Sequence, residues 1–308
     1  MRHCQSLRVL LLPLLLLFPA MQAQAQAREN APLLLQLPAS TRAAALGDAY
    51  HLASADNDAI FYHPGLIDAA RGMGGSLAFF EYATLATLSA AAEFWGGGVA
   101  FGVQSLSWSA PTRASGAFSR GEAGLGESGG VNASELAVSA GYGRVIKGFR
   151  VGVAATYIEM RVPGERDVTV AGDIGIARRI GFVTAGFSAR NLGRSPALEG
   201  EDLALPRTLT LGASTQTRAV GPLDMSAAAA VSHREDGTFI PHAGIEVAYW
   251  PVSGRTFTGR VGVRYIDDSD IRPLTLGAGF TGDRIGIDYG FQGYEEAGVV
   301  HRVGVRVR

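Results

Sequence analysis

The sequence of 308 residues has little cysteine, little charge and no long apolar run in its main part. Its single cysteine, Cys4, lies at the N-terminus, which excludes a disulfide framework and a thiolate metal site. Charged residues make up 18% of the chain, below the roughly 25% of an average soluble domain, and the net charge of −1 gives no basic footprint for nucleic acid. No run of 18 apolar residues occurs after residue 27, so no membrane-spanning helix is predicted there.

Glycine, by contrast, is abundant. It accounts for 41 of the 308 residues, roughly twice the share of about 7% in an average protein. A Gly-x-y period is missing, so the excess does not indicate collagen. Much of the glycine falls at turns and at alternating positions, such as Gly262 and Gly277. We expect inward-facing glycine to make room for an internal segment and for bends in curved strands.

The N-terminus has the layout of a secretory signal peptide. Arg2 and Arg8 form a positive region, and residues 9–18 form an apolar stretch well short of the roughly 20 residues that a spanning helix needs. Two small-x-small cleavage sites follow, the second ending at Ala27. We predict that residues 1–27 are a signal peptide that is cleaved on export, so that the mature chain has no cysteine.

The rest of the chain is dominated by strict alternation of apolar and polar residues. Phe257, Val261 and Val263 alternate with Arg260 and other polar or small residues, a period of two that is typical of a strand with one apolar face. Most of the predicted strands have the length of a tilted strand that crosses a bilayer. The fourteen segments are 76–82, 84–94, 97–109, 132–146, 149–162, 166–178, 181–190, 206–217, 223–233, 238–250, 256–266, 271–281, 283–292 and 297–307. The segment 84–94 is rich in alanine, so a helix is an alternative there.

The connections between these segments indicate a membrane barrel. The two long connections, 110–131 and 191–205, both follow odd-numbered strands, whereas those after even-numbered strands are short. Long loops at one end and tight turns at the other are typical of outer-membrane β-barrels. Residues 28–74 lack the period of two, so we predict that they form an N-terminal plug segment in the lumen of a barrel formed by residues 75–308.

A set of residues in this N-terminal segment forms a recognisable signature. An arginine and a Leu-Gly-Asp turn come first. A pair of acidic residues follows, and then an aromatic residue followed directly by an x-Pro-Gly sequence. These residues are Arg42, Leu46, Gly47, Asp48, Asp56, Asp58, Tyr62, His63, Pro64 and Gly65. The pattern resembles the N-terminal signature of the PorV/PorQ proteins, which belong to the FadL-like group of outer-membrane barrels. His63 stands where that family has Asn, and Gly65 stands where it has Ala.

The resemblance implies a fold, a location and two roles. The fold is all-β, a transmembrane antiparallel barrel of about 14 strands with an N-terminal plug, in contact with the lipid of the bacterial outer membrane. One role is non-enzymatic: a partner of exported proteins or translocon components in type IX-like secretion, or in surface attachment. The other is a FadL-like channel for passive uptake of hydrophobic small molecules. The inward Gly, Thr and Arg residues favour the first role over a strongly apolar pocket.

Catalytic and metal-binding motifs are not predicted. Residues Gly126–Gly130 fit the G-x-S-x-G pattern, but they lie in a loop rich in Gly and Ser, without the strand and helix that a nucleophile elbow needs. The histidines of the mature chain are dispersed, and no metal-binding spacing occurs among them. We therefore expect no enzyme activity, no cofactor and no metal site.

Charges and aromatic residues suggest two further hypotheses. Asp48, Asp56 and Asp58 in the plug are expected to pair with inward arginines such as Arg260 and Arg264, because the lumen is the shielded place where such charges meet. Aromatic residues near the predicted strand ends are expected to form interfacial girdles. These aromatic residues are Phe79, Phe80, Tyr82, Phe94, Trp95, Trp108, Phe149, Phe182, Trp250, Phe257, Tyr265 and Phe291.

Overall fold

The computed structural model describes residues 32–50, 52, 56–110, 131–198, 201–266, 271–294 and 298–307. Two features predicted from the sequence lie outside the described residues. They are the signal peptide, residues 1–27, and the loop 111–130 with its G-x-S-x-G match. The start of the predicted plug, residues 28–31, also lies outside them.

Strands make up most of the described chain, and the short helices all precede the first strand. The helices are the 3₁₀ helix Leu33–Leu35, the α-helix α1 Thr41–Ala45, and the 3₁₀ helices Asn57–Phe61 and Pro64–Ala69. The strands are β1 Gly72–Phe79, β2 Ala83–Phe94, β3 Gly97–Ala110, β4 Val131–Ile146, β5 Phe149–Val162, β6 Glu165–Ile180, β7 Val183–Gly193, β8 Ala197–Leu198, β9 Glu201–Asp202, β10 Thr208–Thr215, β11 Arg218–Val220, β12 Leu223–Arg234, β13 Phe239–Val252, β14 Arg255–Arg264, β15 Ile271–Thr281, β16 Ile285–Tyr294 and β17 Val299–Val307.

Fourteen long strands form one closed antiparallel barrel. Each strand pairs with its neighbours in the chain, β10 pairs with β7 across the small β8–β9 hairpin, and β1 pairs with β17 to close the sheet. The short β11 extends β10 along β12. Because the barrel is closed, its wall has no open sheet edge. A strand structure in lipid requires such closure, since its backbone groups cannot be left unpaired there. The prediction of an all-β barrel with fourteen strands is confirmed, and Ala83–Phe94 is a strand rather than a helix.

The two faces of the barrel wall differ in chemistry. Along β14 the outward Phe257 is 51% exposed and apolar, whereas the inward Arg260 and Arg264 are buried. The same alternation runs round the sheet, so the outside is a continuous apolar belt. In water such a belt would be far larger than the exposed apolar patches of soluble monomers. The wall therefore has the surface of a transmembrane barrel. In the described residues no helix is long and apolar enough to cross a membrane.

The barrel has two distinct ends. At one end, which we call the turn end, strands are joined by tight turns such as Trp95–Gly96 and Lys147–Gly148, whose residues have positive φ angles. The other end, which we call the loop end, carries the connection 111–130 and the β8–β9 hairpin. The chain enters β1 and leaves β17 at the turn end.

The described residues before β1, which we call the N-terminal segment (residues 32–70), lie inside the barrel. Helix α1 packs against β14–β17 on one side of the lumen, and the 3₁₀ helix Pro64–Ala69 packs against β3–β6 on the other. Leu33–Leu35 lies towards the loop end, and Pro64–Ala69 lies at the turn end. The segment therefore crosses the lumen along its length before the chain enters the wall.

Inward glycines let this segment approach the wall closely. A Cβ atom on Gly152 would overlap the carbonyl group of Pro64, and one on Gly262 would overlap backbone atoms of Leu46 and Gly47. Similar contacts with the segment occur at Gly98, Gly143, Gly175, Gly244, Gly277 and Gly290. The glycine excess of the sequence thus has the physical cause that the alternation predicts.

Candidate functional site in the barrel lumen

The N-terminal segment is held in shape by its own side chains. The Tyr62 hydroxyl accepts hydrogen bonds from the backbone N–H groups of Ala39 at 2.8 Å and Ser40 at 3.1 Å. The Ser40 side chain caps α1 by accepting from the N–H of Ala43 at 3.1 Å. Asp56 caps the next helix by accepting from the N–H of Asp58 at 3.2 Å. The Tyr62 bonds join stretches that are far apart within the segment, whereas the two caps fix its helices locally.

A chain of six buried and half-buried charges anchors the segment to the wall. Arg42 of α1 contacts Asp56 at 3.2 Å and Glu246 of β13 at 2.7 Å. Glu246 also contacts Arg260 of β14 at 2.6 Å. Arg260 contacts Asp288 of β16 at 2.6 Å, and Asp288 in turn contacts Arg306 of β17 at 2.7 Å. Three cations and three anions alternate along this chain, so each charge has an opposite neighbour.

The predicted pairing between segment carboxylates and inward arginines is observed for one residue of three. Asp48 lies 3.9 Å from Arg264. Asp56 pairs with Arg42, inside the segment, and Asp58 accepts from the Ser89 hydroxyl at 2.7 Å. For Asp56 and Asp58 the prediction was wrong because Arg260 is already engaged by two carboxylates of the wall.

Polar contacts also hold the segment near the loop end. The Glu135 carboxylate of β4 accepts from the N–H groups of Leu33 at 3.0 Å and Leu34 at 2.7 Å. Arg302 of β17 donates to the carbonyl of Pro38 at 2.6 Å, and Arg264 donates to the carbonyl of Gln36 at 3.3 Å. Backbone groups of the segment are thus satisfied by the wall, as buried backbone groups must be.

Between these polar contacts, the loop half of the lumen is apolar. Leu34 is fully buried among inward side chains of the wall. These side chains are Ala83, Leu85, Leu106, Ala137, Ile158, Ala171, Leu205 and Val300. Phe80 and Trp108, which we expected in an outer girdle, pack against this apolar cluster. The inner wall therefore forms an apolar site, and the leucines of the segment occupy it.

A cleft of about 640 Å³ opens at the loop end beside Phe80, Tyr82 and Trp108, whereas the described residues leave little free space between the segment and the wall. A cavity of about 50 Å³ lies between the segment and the wall and is lined by polar groups, including Gln104, Asp173, Asn191 and Arg264. A cavity of about 150 Å³ is known to bind benzene, so this one is too small for an aromatic hydrocarbon. In the part of the chain that the structure describes, the space between the segment and the wall does not admit such molecules while the segment stays in place.

Two titratable groups of the segment, His63 and Asp58, have pKa values altered to between about 4 and about 7. His63 is 1% exposed, and among the described residues neither ring nitrogen has a hydrogen-bond partner. Burial lowers the pKa of His63 to about 4. Burial, followed by repulsion from Asp56, raises the pKa of Asp58 to about 7. The segment is therefore sensitive to pH at two points with opposite signs.

Acidification is expected to destabilise the protein through His63. The pKa of this residue is about 6.5 in an unfolded chain and about 4 in the folded protein, so the unfolded state binds more protons between these pH values. Stability from neutral His63 is complete above pH 6.5 and is lost as the pH falls towards 4. Between pH 7.5 and pH 5 the wild type should lose about 2 kcal/mol more unfolding free energy than His63→Gln.

Urea unfolding of the two proteins in lipid vesicles at both pH values measures this difference. Asp58 is present in both chains, so its opposite pH dependence cancels in the comparison. Equal pH dependence of wild type and variant would contradict the assignment of a buried neutral His63.

The residues of the sequence signature come together in the lumen, although they do not line one pocket. Leu46 and Gly47 press against β13 and β14, and the Gly47 carbonyl accepts from Nδ1 of His242 at 3.0 Å. Pro64 begins a 3₁₀ helix, and Gly65 lies against the backbone of β5 and β6. The signature residues therefore shape the segment and seat it against the wall.

Several wall residues of this site were not predicted. They are Glu135, Glu246, Asp288, Arg302 and Arg306. The available signal was a charge at an inward position of an alternating strand. That signal identifies the face of the side chain, but it does not identify its partner across the lumen. Among the residues that the structure describes, no group of three or more metal-ligating side chains occurs.

Of the comparisons with known proteins, the one with solved structures bears on the fold. The sequence matches no protein-family model and no curated protein. Among solved structures, the toluene transporter TodX of Pseudomonas putida is 12% identical, with a TM-score of 0.52 over 82% of this chain and 92% of that one. A FadL homologue of Pseudomonas aeruginosa is 10% identical, with a TM-score of 0.53 over 91% and 99%.

A third solved structure is similar to the same extent. It is the monoaromatic hydrocarbon channel CymD, 10% identical with a TM-score of 0.50 over 82% of this chain and 92% of that one. At these identities the likeness establishes the fold alone. The chain therefore has the barrel fold of FadL-type outer-membrane proteins. Of these structural neighbours, TodX is named as a transporter and CymD as a channel.

Proposed function

We propose that this protein is an outer-membrane channel for passive uptake of small hydrophobic molecules, with the N-terminal segment acting as its plug. The observation that carries the proposal is the apolar loop half of the lumen, in which Leu34 is enclosed by leucine, isoleucine, valine and alanine of the wall. A hydrophobic solute that replaced the leucines of the segment would meet the same apolar side chains. The fold similarity to TodX and CymD, which are named as hydrocarbon channels, supports the same solute class.

The plug role follows from the small free space. Since the cavity of about 50 Å³ between the segment and the wall does not admit a hydrocarbon, passage beyond the loop-end cleft requires the segment to shift. The polar contacts at Glu135 and Arg302 act on backbone groups at the N-terminal end of the segment. We infer that this end moves first, because α1 is held separately through Arg42. Export through a cleaved signal peptide, residues 1–27, and insertion into the outer membrane belong to the same proposal.

Uptake by liposomes tests the channel. Liposomes containing the purified protein should take up toluene faster than protein-free liposomes of the same composition. Ile158→Asn, which places a polar group in the apolar cluster, should slow this uptake, whereas Ile174→Asn on the outer face should leave it close to wild type. Uptake no faster than in protein-free liposomes would contradict the channel, provided that the protein still shows heat-modifiable gel mobility.

The second candidate is a PorV/PorQ-like partner in type IX-like secretion or surface attachment. The observation that favours it is the seating of the signature residues against the wall, which keeps the lumen filled and so favours a role other than solute passage. Affinity purification from outer membranes should then recover a translocon component or an exported protein in stoichiometric amount. Recovery of lipid alone, together with toluene uptake, would contradict this role.

A further inference from the structure

Two arginines face each other on the outer wall near the loop end. Arg161 of β5 and Arg166 of β6 are directly opposed in the antiparallel register, and their side chains are 58% and 53% exposed. Directly opposed side chains of an antiparallel pair lie about 5 Å apart at Cβ, so like charges there repel. Such a pair needs an anion nearby.

One carboxylate partly meets this need. Glu159 is 8% exposed because Arg161, Arg166 and the Tyr157 hydroxyl surround it. Arg166 donates to Glu159 at 2.7 Å, and Tyr157 donates at 3.1 Å. Two guanidinium groups and one carboxylate leave a single net positive charge. Each guanidinium keeps further N–H donors that this carboxylate does not use, since an arginine carries five of them.

The position of the cluster relative to the apolar belt identifies the kind of partner. Below it on the same outward face lie apolar side chains that are well exposed to lipid, among them Val153, Val168, Val170, Ile174 and Ile176. Tyr157 lies at the border between these side chains and the charged cluster, where interfacial tyrosines are typical. The arginines thus stand just above the hydrocarbon region, at the level of lipid headgroups on the loop side.

From this geometry we propose that Arg161 and Arg166 form a clamp for the phosphate of a lipid whose acyl chains lie along β5 and β6. Paired guanidinium forks match the oxygens of a phosphate group, and the remaining positive charge attracts an anion. The apolar wall directly below accommodates the acyl chains of the same molecule. The ligand class is a phosphorylated lipid of the leaflet at the loop end. This site is distinct from the lumen and does not depend on transport.

Binding of a phosphorylated glycolipid to the purified full-length protein in detergent tests the clamp. Native mass spectrometry should show that the protein binds the lipid that carries a phosphate. The same lipid should not bind comparably after its phosphate has been removed enzymatically. The double variant Arg161→Gln, Arg166→Gln should bind roughly tenfold more weakly or worse. The matched control is Arg178→Gln with Arg218→Gln, two outward arginines of the turn end that stack on Phe149 and Phe182. It should bind like the wild type.

Glu159→Gln separates binding from a merely structural role. Removal of the competing carboxylate raises the net charge of the clamp, so this variant should bind the lipid at least as tightly as the wild type. Weakening as great as in the double variant would show that the arginines serve Glu159, and the proposal would be wrong. Equal loss in the turn-end control, or displacement of the lipid by inorganic phosphate at similar concentration, would also overturn it. Heat-modifiable gel mobility must be kept in every variant compared.

Discussion

Gly262→Val is expected to displace the N-terminal segment from the lumen. A Cβ atom at this position would overlap backbone atoms of Leu46 and Gly47, and backbone cannot rotate away as a flexible side chain does. Overpacking of this kind typically costs about 1–3 kcal/mol. The fraction of molecules with a displaced segment should therefore rise by roughly one to two orders of magnitude.

Two measurements detect displacement of the N-terminal segment. Limited proteolysis should cut the N-terminal segment much faster in the variant, and toluene uptake by liposomes should increase. Gly259→Val is the matched control, because it lies on the same strand and a Cβ atom there meets nothing within 4 Å. If both variants resist the protease as the wild type does, the close approach at Gly262 does not hold the segment in place. Unchanged uptake with faster proteolysis would count against the plug role alone.

Arg260→Ala is expected to reduce the free energy of unfolding by about 3–5 kcal/mol, the usual cost of removing one partner of a buried ion pair. Arg260 is 6% exposed and joins Glu246 to Asp288 in the charge chain of the lumen. Its loss leaves the carboxylates of Glu246 and Asp288 in the lumen without the cation that they share. Unfolding in urea from lipid vesicles, at constant salt, measures the change.

Arg255→Ala serves as the control for this substitution. Arg255 lies on the same strand, at the exposed turn end, so its removal should change stability by about 0.5 kcal/mol or less. Arg260→Lys should fall between the two, because a single ammonium cannot reproduce the fork that bridges two carboxylates. A loss at Arg260 no larger than at Arg255 would mean that the charge chain adds little to stability.

The strand pattern was predictable because it depends on local chemistry. Period two decides which face of a strand meets lipid, so Phe257 and Arg260 are assigned to opposite faces from the sequence alone. The partners across the lumen were not predictable in this way. Arg42 forms an ion pair with Glu246, and Glu135 accepts a hydrogen bond from the N–H of Leu34, only because the wall closes around the segment. Face is a local property, whereas pairing depends on the curvature and closure of the whole sheet.

The leucines of the N-terminal segment illustrate a second limit. Leu33, Leu34 and Leu35 follow closely on the predicted signal peptide and show no alternation, so the sequence does not reveal what surrounds them. The inward Gly, Thr and Arg residues suggested a polar lumen, and the turn half of the lumen does contain the charge chain. The loop half is apolar because small and branched inward residues of several strands converge there. That convergence is a property of the barrel rather than of any one strand.

The pairing of β1 with β17 has a consequence for how the protein folds. The N-terminal segment is made before any strand, yet Arg302, on the last strand, bonds to Pro38, 264 positions earlier in the chain. Contacts of such large sequence separation form late and slow folding, because loop closure must precede them. The segment must already lie within the curved, open sheet when its first and last strands meet. Mutations that loosen the segment should therefore alter the rate of assembly as well as the stability of the finished barrel.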